Sequence, residues 1–300
     1  MESYRAVVTG CSGFLGRYVV NELTKQGHSV LGFDVVEPKF QIDDFKKGDF
    51  TVRSDTVAAM RGASVICHLG GVGDVYLADS DPALAFRANA FGTKVVCDSA
   101  RELGVDKLVY ASTWEVYGPP LGDPIGESHP CNPESPYSIS KLAGELLVRS
   151  ADGKDGLTTL ALRLGTAYGR HMRQTAVIAR FITLASNRQR LTIHGDGSQF
   201  RQFTHASDIG RAFALAVSET TPSRIYNIVS EERVTILDLA KRISATFGAE
   251  IEFREPRSAE PSPAGVSSLR AQSELGWRSE IPFSKGLAQL IADVVSPEEQ

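Results

Sequence analysis

A tyrosine and a lysine four residues apart, Tyr137 and Lys141, are the side chains in this sequence with the clearest chemical potential. They follow Ser135 and Pro136, a common helix cap and a common first-turn residue, so both side chains should project from one face of a helix. A lysine ammonium beside a phenol favours the phenolate and lowers the pKa of the tyrosine. The pair predicts a general acid or base for a substrate hydroxyl, although ordinary amphipathic helices also carry such pairs.

A hydroxyl and a carboxylate follow the predicted strand Lys107–Ser112, in the run Thr113-Trp114-Glu115. The carboxyl end of a buried parallel strand is where such a sheet binds its ligands. We expect Thr113 to hydrogen-bond the same substrate hydroxyl as Tyr137. Glu115 is predicted to be either a second acid or base or a residue that supports the first.

Three glycines, Gly10, Gly13 and Gly16, connect a predicted strand to a predicted helix. The first permits a tight turn, the second lets the backbone approach a pyrophosphate, and the third lets helix and strand pack closely. The free amides at the start of that helix, at Phe14 and Leu15, favour phosphate. A glycine-rich turn without a ligand is the alternative, since this motif alone has false positives.

An acidic residue, Asp34, ends the second predicted strand, 18 residues after Gly16. A carboxylate there binds the ribose hydroxyls of a dinucleotide and repels a ribose phosphate, which favours NAD over NADP, although Lys39 is nearby. Other residues predicted to contact the dinucleotide lie at the same edge of the sheet. They are Asp49, Phe50, Leu69, Gly70 and Gly71.

The elements that must position these groups alternate between short apolar runs and segments of helical periodicity. The predicted strands are Arg5–Thr9, Ser29–Asp34, Ser64–Leu69, Lys107–Ser112 and Thr158–Leu164. Continuous hydrophobicity indicates strands buried on both faces, and the order predicts an α/β fold with a doubly wound parallel sheet of Rossmann type. We predict an NAD-binding domain over 1–165, to which segments near 203–230 return, and a smaller α/β substrate-binding domain mainly over 166–300.

The second half is less regular, with helices predicted over Ala176–Ala185, Ser207–Ser218 and Ile236–Phe247 and a strand over Ile225–Val229. The stretch Arg254–Ser268 contains three prolines and four serines, which predicts a surface loop.

Composition excludes several classes of protein. The 300 residues are 42% hydrophobic and carry a net charge of −4, which argues against disorder and against nucleic-acid binding. No apolar run is long enough to span a bilayer, and no secretory signal is evident. The four cysteines are far apart and the six histidines lack metal-ligand spacing, so we expect a reduced, cytoplasmic protein without a metal site.

Three segments together resemble the extended short-chain dehydrogenase/reductases, and within them the NAD-dependent epimerase/dehydratase family that acts on nucleotide sugars. They are TGCSGFLG at 9–16, ASTWEVYG at 111–118 and SPYSISK at 135–141. Four further segments also match family positions, so the resemblance covers nearly the whole chain. They lie at 89–93, 196–203, 225–228 and 275–277.

The resemblance implies roles for particular residues. Tyr137 becomes the catalytic acid or base, Thr113 its accompanying hydroxyl, and Lys141 a ligand of the nicotinamide ribose, with NAD as the cofactor. Asn89 is expected at the cofactor, and the substrate-binding residues are expected to include Thr113, Thr166, His194, Arg201, Asn227 and Arg257. Relatives dimerise through the equivalents of the helix Pro82–Leu103 and the helix of Tyr137, which implies a homodimer.

Two positions depart from the family pattern. Trp114 stands where sugar 4,6-dehydratases carry an aspartic acid, and an indole N–H cannot titrate. Thr166 stands where many members have an asparagine that binds the diphosphate. An epimerase needs the fewest side chains, so we predict a nucleotide-sugar epimerase acting at carbon 4. The alternatives are a dehydratase or decarboxylase that uses Glu115 and, less favoured, a non-catalytic NAD-binding module.

Overall fold

Seven parallel strands form the central sheet in the computed structural model, which describes residues 4–218, 220–221, 224–256 and 264–295. The thirteen strands of this described part are β1 Arg5–Thr9, β2 Ser29–Asp34, β3 Asp44–Lys47, β4 Val65–His68, β5 Lys107–Thr113, β6 Thr158–Leu164, β7 Thr166–Tyr168, β8 Leu191–His194, β9 Phe200–Arg201, β10 Phe203–His205, β11 Ile225–Ile228, β12 Val234–Thr235 and β13 Ile251–Arg254. The central sheet has the order β11-β6-β5-β4-β1-β2-β3, which confirms the predicted doubly wound α/β fold.

Helices flank this sheet and build a second layer beside its carboxyl edge. They are α1 Phe14–Lys25, α2 Arg53–Met60, α3 Val75–Ser80, α4 Pro82–Phe86, α5 Thr93–Glu102, α6 Pro136–Ala151, α7 Val177–Ser186, α8 Ala206–Ser218, α9 Ile236–Phe247, α10 Leu269–Glu274 and α11 Phe283–Val295. Short 3-10 turns follow β5 and α6, at Trp114–Tyr117 and Lys154–Gly156.

Both faces of the central sheet are buried along its inner strands, because these strands are apolar. Val7 and Ile66 belong to a hydrophobic cluster on one face, whereas Val8 and Cys67, their neighbours in sequence, belong to a cluster on the other. A third cluster is formed by β7, β8, β10 and helices α7, α9 and α11. The strand β11 is an edge of the central sheet, and α8 packs on α1. The division of the chain into two domains at residue 165 stays a prediction.

Three features of the structure differ from the predicted elements. The strand β3 was not predicted, because three of its four residues DFKK are charged and it forms an edge. The predicted helix Pro82–Leu103 is divided by a widened π-turn over Arg87–Gly92. Asn89 and Gly92 of this turn are buried, and a Cβ on Gly92 would lie 2.3 Å from the Phe50 ring.

The third difference concerns the predicted loop Arg254–Ser268. Residues 257–263 lie outside the described part, but the following residues are held in place rather than lying over the surface. Val266 is buried, bridges to Ile125, and donates its backbone N–H to Gln202 Oε1 over 2.6 Å. The serine and proline content gave no sign that the end of this stretch would be enclosed.

Helix α6 is fixed at both its start and its middle. Ser135 caps it, because its hydroxyl accepts the Ser138 N–H over 3.1 Å while the Ser138 hydroxyl accepts the Ser135 N–H. In the middle, Glu145 is fully buried and binds the guanidinium of Arg163 on β6 through two contacts of 2.6 and 3.1 Å. Ser112 also donates to Glu145, over 2.6 Å, so this carboxylate joins α6 to β5 and β6.

We expect Glu145→Leu to lower the free energy of unfolding by about 3–5 kcal/mol, because it leaves the Arg163 guanidinium charged and unpaired inside the protein. Asp98→Asn is the matched control, since it removes one partner of the exposed pair Lys94–Asp98 and should cost about 0.5 kcal/mol or less. Urea unfolding followed by circular dichroism measures both. Equal losses in the two variants would contradict the importance given to the buried pair.

Candidate active site

A cavity of about 420 Å³ and a second of about 560 Å³ meet at the carboxyl edge of the central sheet. Both are lined by Trp114, Glu115, Gly165 and Thr166, so these residues mark the junction. The larger cavity contains all four residues predicted to be catalytic, Thr113, Glu115, Tyr137 and Lys141. It also contains Gly10, Gly13, Phe14, Leu15, Gly16, Leu69 and Gly71 from the predicted cofactor set. The structure therefore brings the two groups into one space.

The hydroxyl of Tyr137 lies within hydrogen-bonding reach of the side chain of Thr113. This arrangement would allow Thr113 to bind the same substrate hydroxyl as Tyr137, the role expected for it from the sequence. Burial raises the pKa of Tyr137 above its ordinary value, the nearby Glu115 raises it further, and Thr113 and Arg173 oppose the rise. The phenol is therefore held in its protonated form by the protein groups around it. In this state Tyr137 is equipped to donate a proton, and it requires a further positive charge to accept one.

Lys141 does not act on Tyr137 in the way that we predicted. Its ammonium is almost fully buried and lies 4.4 Å from the centre of the Tyr110 ring. Burial lowers the pKa of Lys141 to about 7, against a smaller raising effect of Glu145. The predicted lowering of the tyrosine pKa by this lysine is therefore wrong for the protein groups alone, because desolvation outweighs every charge near the phenol.

Glu115 is a carboxyl group that reaches both cavities. Burial raises its pKa, whereas the guanidinium groups of Arg173 and Arg201 lower it. Its neighbour Trp114 lies at the same junction and contributes only an indole N–H. Two neighbouring residues near the Tyr137 phenol thus differ in their chemistry: Glu115 has a carboxyl group that can titrate, and Trp114 has an indole that cannot.

From the predicted substrate-binding set, Arg201 lines the smaller cavity and Thr166 lines both. Two other members of that set lie elsewhere. Asn227 is fully buried, accepts a hydrogen bond from the Tyr117 hydroxyl over 2.7 Å, and donates to Ser267 O over 3.0 Å. His194 has its Nδ1 3.1 Å from Glu255 O and lines neither cavity, and Arg257 lies outside the described residues.

A third cavity, of about 480 Å³, continues from the larger one along the turn after β1. It contains further residues of the predicted cofactor set, namely Asp34, Asp49, Phe50 and Gly70. The carboxylate of Asp34 accepts the Ser12 N–H over 3.0 Å with one oxygen and the Val36 N–H over 3.1 Å with the other. Each oxygen keeps a lone pair for a ribose hydroxyl, so the geometry fits the role predicted for Asp34.

The glycines of the turn are required by the close approach of two backbones. Gly10 has φ +70°, and a Cβ there would lie 2.7 Å from the Gly70 nitrogen. A Cβ on Gly16 would lie 2.1 Å from the Gly10 carbonyl oxygen. Helix α1 begins after Gly13, and no side chain caps it. Its first residues, Phe14, Leu15 and Gly16, line the larger cavity, where their backbone amides can bind a ligand. These residues fit a dinucleotide diphosphate.

The larger and the third cavity together form what we call the cofactor cavity, and Asn89 supports this space from behind and does not line it. Its side-chain oxygen accepts the Val72 N–H over 2.9 Å, and its amide donates to Val72 O and Ser140 Oγ, each over 3.0 Å. All the polar atoms of this side chain are thus engaged within the protein. The residue joins the turn after β4 to helix α6.

One residue of the site, Arg173, was not predicted from the sequence. It lines the larger cavity, donates to Gly73 O over 2.8 Å, and lies 3.1 Å from the Asp74 carboxylate. It therefore connects the turn after β4 with the segment that follows β7. Its only sequence signal is its place a few residues beyond a strand that ends at the ligand-binding edge.

Comparison with known proteins defines the class of this protein. The sequence profile of the NAD dependent epimerase/dehydratase family matches residues 6–229. The chain belongs to this family, whose cofactor is NAD.

Particular relatives divide between two reactions. The chain is 29% identical to a UDP-glucose 4-epimerase of Mycolicibacterium smegmatis, over 96% of this chain and 97% of that protein. It is also 29% identical to a dTDP-glucose 4,6-dehydratase of Streptomyces griseus, over 95% of this chain and 92% of the relative. Among solved structures, MoeE5 in complex with UDP-glucuronic acid and NAD has a TM-score of 0.90 and 27% identity, with 98% of this chain and 100% of that one covered.

We expect Asp34→Asn to weaken NAD binding by about 10- to 100-fold, because hydrogen bonds to a charged group contribute about 1.5–3 kcal/mol. The same change should improve the affinity for NADP relative to the affinity for NAD, since it removes a negative charge beside the ribose. Titration calorimetry with both dinucleotides measures the change after bound nucleotide has been removed. Asp44→Asn, on the neighbouring strand β3, is the control, and an equal effect there would contradict the assignment.

Proposed function

We propose that this protein is an NAD-dependent epimerase of nucleotide sugars that inverts carbon 4 of the sugar through a transient keto intermediate. The observation that carries this proposal is the junction of the two cavities. The larger cavity is lined by the glycines of the turn after β1 together with Tyr137 and Thr113, and the smaller one by Arg201. The two cavities meet at Trp114, Glu115, Gly165 and Thr166. A sugar attached to a diphosphate in the smaller cavity would lie against the phenol.

The protein groups suit the two proton transfers that such a reaction needs. Tyr137 takes the proton of the sugar hydroxyl during oxidation and returns it after the keto sugar has presented its other face, while Thr113 holds that oxygen. Arg201 offers a planar guanidinium to the diphosphate. The turn after β1 and Asp34 would hold NAD, which would supply a hydride acceptor and donor and, in its oxidised form, a positive charge. That charge opposes the desolvation that raises the pKa of Tyr137.

Trp114 favours epimerisation over elimination. A sugar 4,6-dehydration needs an acid for the departing hydroxyl and a base for the adjacent proton, and Trp114 occupies the position of that acid in the family pattern. An epimerase needs no such acid. It needs room for the keto sugar to turn, and the cavities of about 420 and 560 Å³ that meet here are consistent with that need.

Glu115 supports a second candidate, a dehydratase or decarboxylase that acts after the same oxidation. Its carboxyl group reaches both cavities, and burial raises its pKa toward a range in which a carboxyl group exchanges protons. The relatives named above include a dehydratase as well as an epimerase. A non-catalytic NAD-binding module is disfavoured, because both Tyr137 and Lys141 are in place.

The distinguishing experiment incubates the purified protein with UDP- and dTDP-hexoses and identifies the products by NMR. We expect inversion at one carbon, no loss of water or carbon dioxide, and no oxidation of added NADH. Glu115→Gln should leave the epimerase rate within about tenfold of the wild type, because this carboxyl group takes no proton in an epimerisation. A dehydrated or decarboxylated product that disappears in Glu115→Gln would instead establish the second candidate.

Tyr137→Phe should lower kcat by about 10²–10⁴-fold, because it removes the acid and base while keeping the ring. The NAD content of the purified protein should stay unchanged, since the diphosphate and ribose sites are intact. Tyr4→Phe, in a residue that lines none of the three cavities, is the control. Undiminished turnover by Tyr137→Phe would overturn the mechanism.

We also propose that the protein works as a homodimer. The segments α4–α5 and helix α6 pack on each other and carry the exposed apolar side chains Leu84, Phe91, Ile139 and Leu146. Phe91→Glu is expected to convert a dimer into a monomer in size-exclusion chromatography with light scattering. Phe253→Glu, an equally exposed aromatic residue on β13, should leave the dimer intact. A wild-type monomer at micromolar concentration would contradict this proposal.

We also propose that the protein is located in the cytoplasm. All four cysteines are free, and Cys11, Cys67 and Cys97 are buried. Cell fractionation tests it, and recovery of the protein outside the cytoplasm would contradict it.

A further inference from the structure

A continuous chain of hydrogen bonds runs beneath the cofactor cavity, and His68 is at its centre. His68 Nδ1 lies 2.6 Å from the hydroxyl of Thr9, and Nε2 lies 3.1 Å from the hydroxyl of Thr93. The Gly70 amide donates to Thr9 Oγ1 over 3.0 Å at one end. At the other end the Thr93 hydroxyl donates to the carbonyl oxygen of Asn89 over 2.7 Å.

The proton positions in this chain follow from its two ends. The Asn89 carbonyl has no proton, so a 2.7 Å contact with the Thr93 hydroxyl uses the one proton of that hydroxyl. Thr93 Oγ1 can then only accept from His68, which places a proton on Nε2. The imidazole is neutral, because full burial and the nearby Lys141 lower the pKa of His68 to about 3. Nδ1 therefore accepts from Thr9.

This arrangement connects the cofactor turn to the catalytic helix. The turn after β4, Leu69–Val72, is held at Gly70 by Thr9 and at Val72 by the side chain of Asn89. The same Asn89 side chain donates to Ser140 Oγ, which lies on α6 next to Lys141. The imidazole of His68 joins Thr9 on β1 to Thr93, the first residue of α5, whose hydroxyl donates to Asn89 in the π-turn.

The imidazole is also held by aromatic rings on two sides. The Phe50 ring meets it edge to face, with centroids 5.2 Å apart, and the Tyr110 ring lies 5.6 Å away. Phe50 lines the cofactor cavity, and a Cβ on Gly70 would lie 2.8 Å from its ring. The imidazole therefore has one orientation, and a change in its shape would be transmitted to the cavity wall.

We propose that His68 is a positioning residue, a neutral Nε2–H imidazole that sets the cofactor turn Leu69–Val72 against the helix of Tyr137 and Lys141. It touches neither cofactor nor substrate and acts through Thr9, Thr93 and Asn89. The proposal rests on the proposed function only for its effect on turnover. Its tautomer and its effect on NAD affinity apply whichever sugar reaction the enzyme performs.

The tautomer is tested by ¹⁵N NMR of the histidine-labelled protein in its NAD-bound form. We expect one imidazole with a proton on Nε2 and a bare Nδ1 that is absent from the spectrum of His68→Gln. A protonated Nδ1 on this residue would overturn the proposal, because the chain of donors would then run in the opposite direction.

The positioning role is tested by comparing His68→Leu with His68→Gln. The leucine removes both hydrogen bonds, so we expect NAD affinity and kcat to fall about tenfold or more. The glutamine amide offers an oxygen to Thr9 and a nitrogen to Thr93, so it should restore both quantities to within about threefold of the wild type. His28→Leu is the control, since it removes another buried imidazole, outside the three cavities.

Two results would overturn this role: affinity and turnover of His68→Leu within about twofold of the wild type, or equal damage by leucine and glutamine. If His68→Leu does not fold, Thr93→Val breaks the chain at the next link and keeps the shape of the side chain. We expect it to weaken NAD binding about fivefold relative to Thr159→Val, a buried threonine change away from the cavity. Equal affinities in these two variants would overturn the proposal as well.

Discussion

The approach of the turn after β1 to the turn after β4 is the constraint on which the cofactor half of this protein depends. Gly10 and Gly70 lie so close that a Cβ on Gly10 would overlap the backbone of the other turn. Because no side chain stands between the turns, the first amides of α1 open directly into the cavity. Thr9 then reaches across to hold Gly70, so contact and hydrogen bond reinforce each other.

Burial has a common effect on the titratable groups of the site. It raises the pKa values of Tyr137 and Glu115 and lowers those of Lys141 and His68, so each group is moved toward its neutral form. A polar site of this kind is costly unless its members are hydrogen-bonded. Thr113 and the chain through His68 meet that requirement. The fully buried opposite charges of Glu145 and Arg163 are paired at close range.

The elements with the strongest local patterns were those that could be predicted from sequence. The strands Arg5–Thr9, Ser29–Asp34 and Thr158–Leu164 have the predicted bounds, because a continuous apolar run has few alternatives in a parallel sheet. The meeting of Tyr137 with Thr113 was also predicted, since both lie at element ends that this fold brings together. Local sequence patterns are sufficient for features of this kind.

Features that depend on contacts between distant segments were not predicted. Asn227 looks like any strand asparagine in sequence, and only the structure shows its amide engaged by Tyr117 and Ser267. The pKa of Tyr137 depends on how much of the protein surrounds it, which a four-residue spacing does not reveal. The widened turn at Arg87–Gly92 likewise lies against Phe50, which is distant in sequence, through a contact that leaves no room for a side chain at Gly92.

The late segments that cover the central sheet have a consequence for synthesis on the ribosome. The hydrophobic cluster on one face of the sheet joins residues of β1, β4, β5 and β6 to α8, β11 and Trp277. Trp277 also donates its indole N–H to Asp208 O over 2.8 Å, which fastens α10 and its following turn to α8. A nascent chain that has emerged only as far as β6 would cover that face with α1 but leave the part beneath α8 and Trp277 open to water. We expect the sheet to gain its stable form only after Trp277 has left the exit tunnel, so translation pauses before that point would prolong its exposure to chaperones.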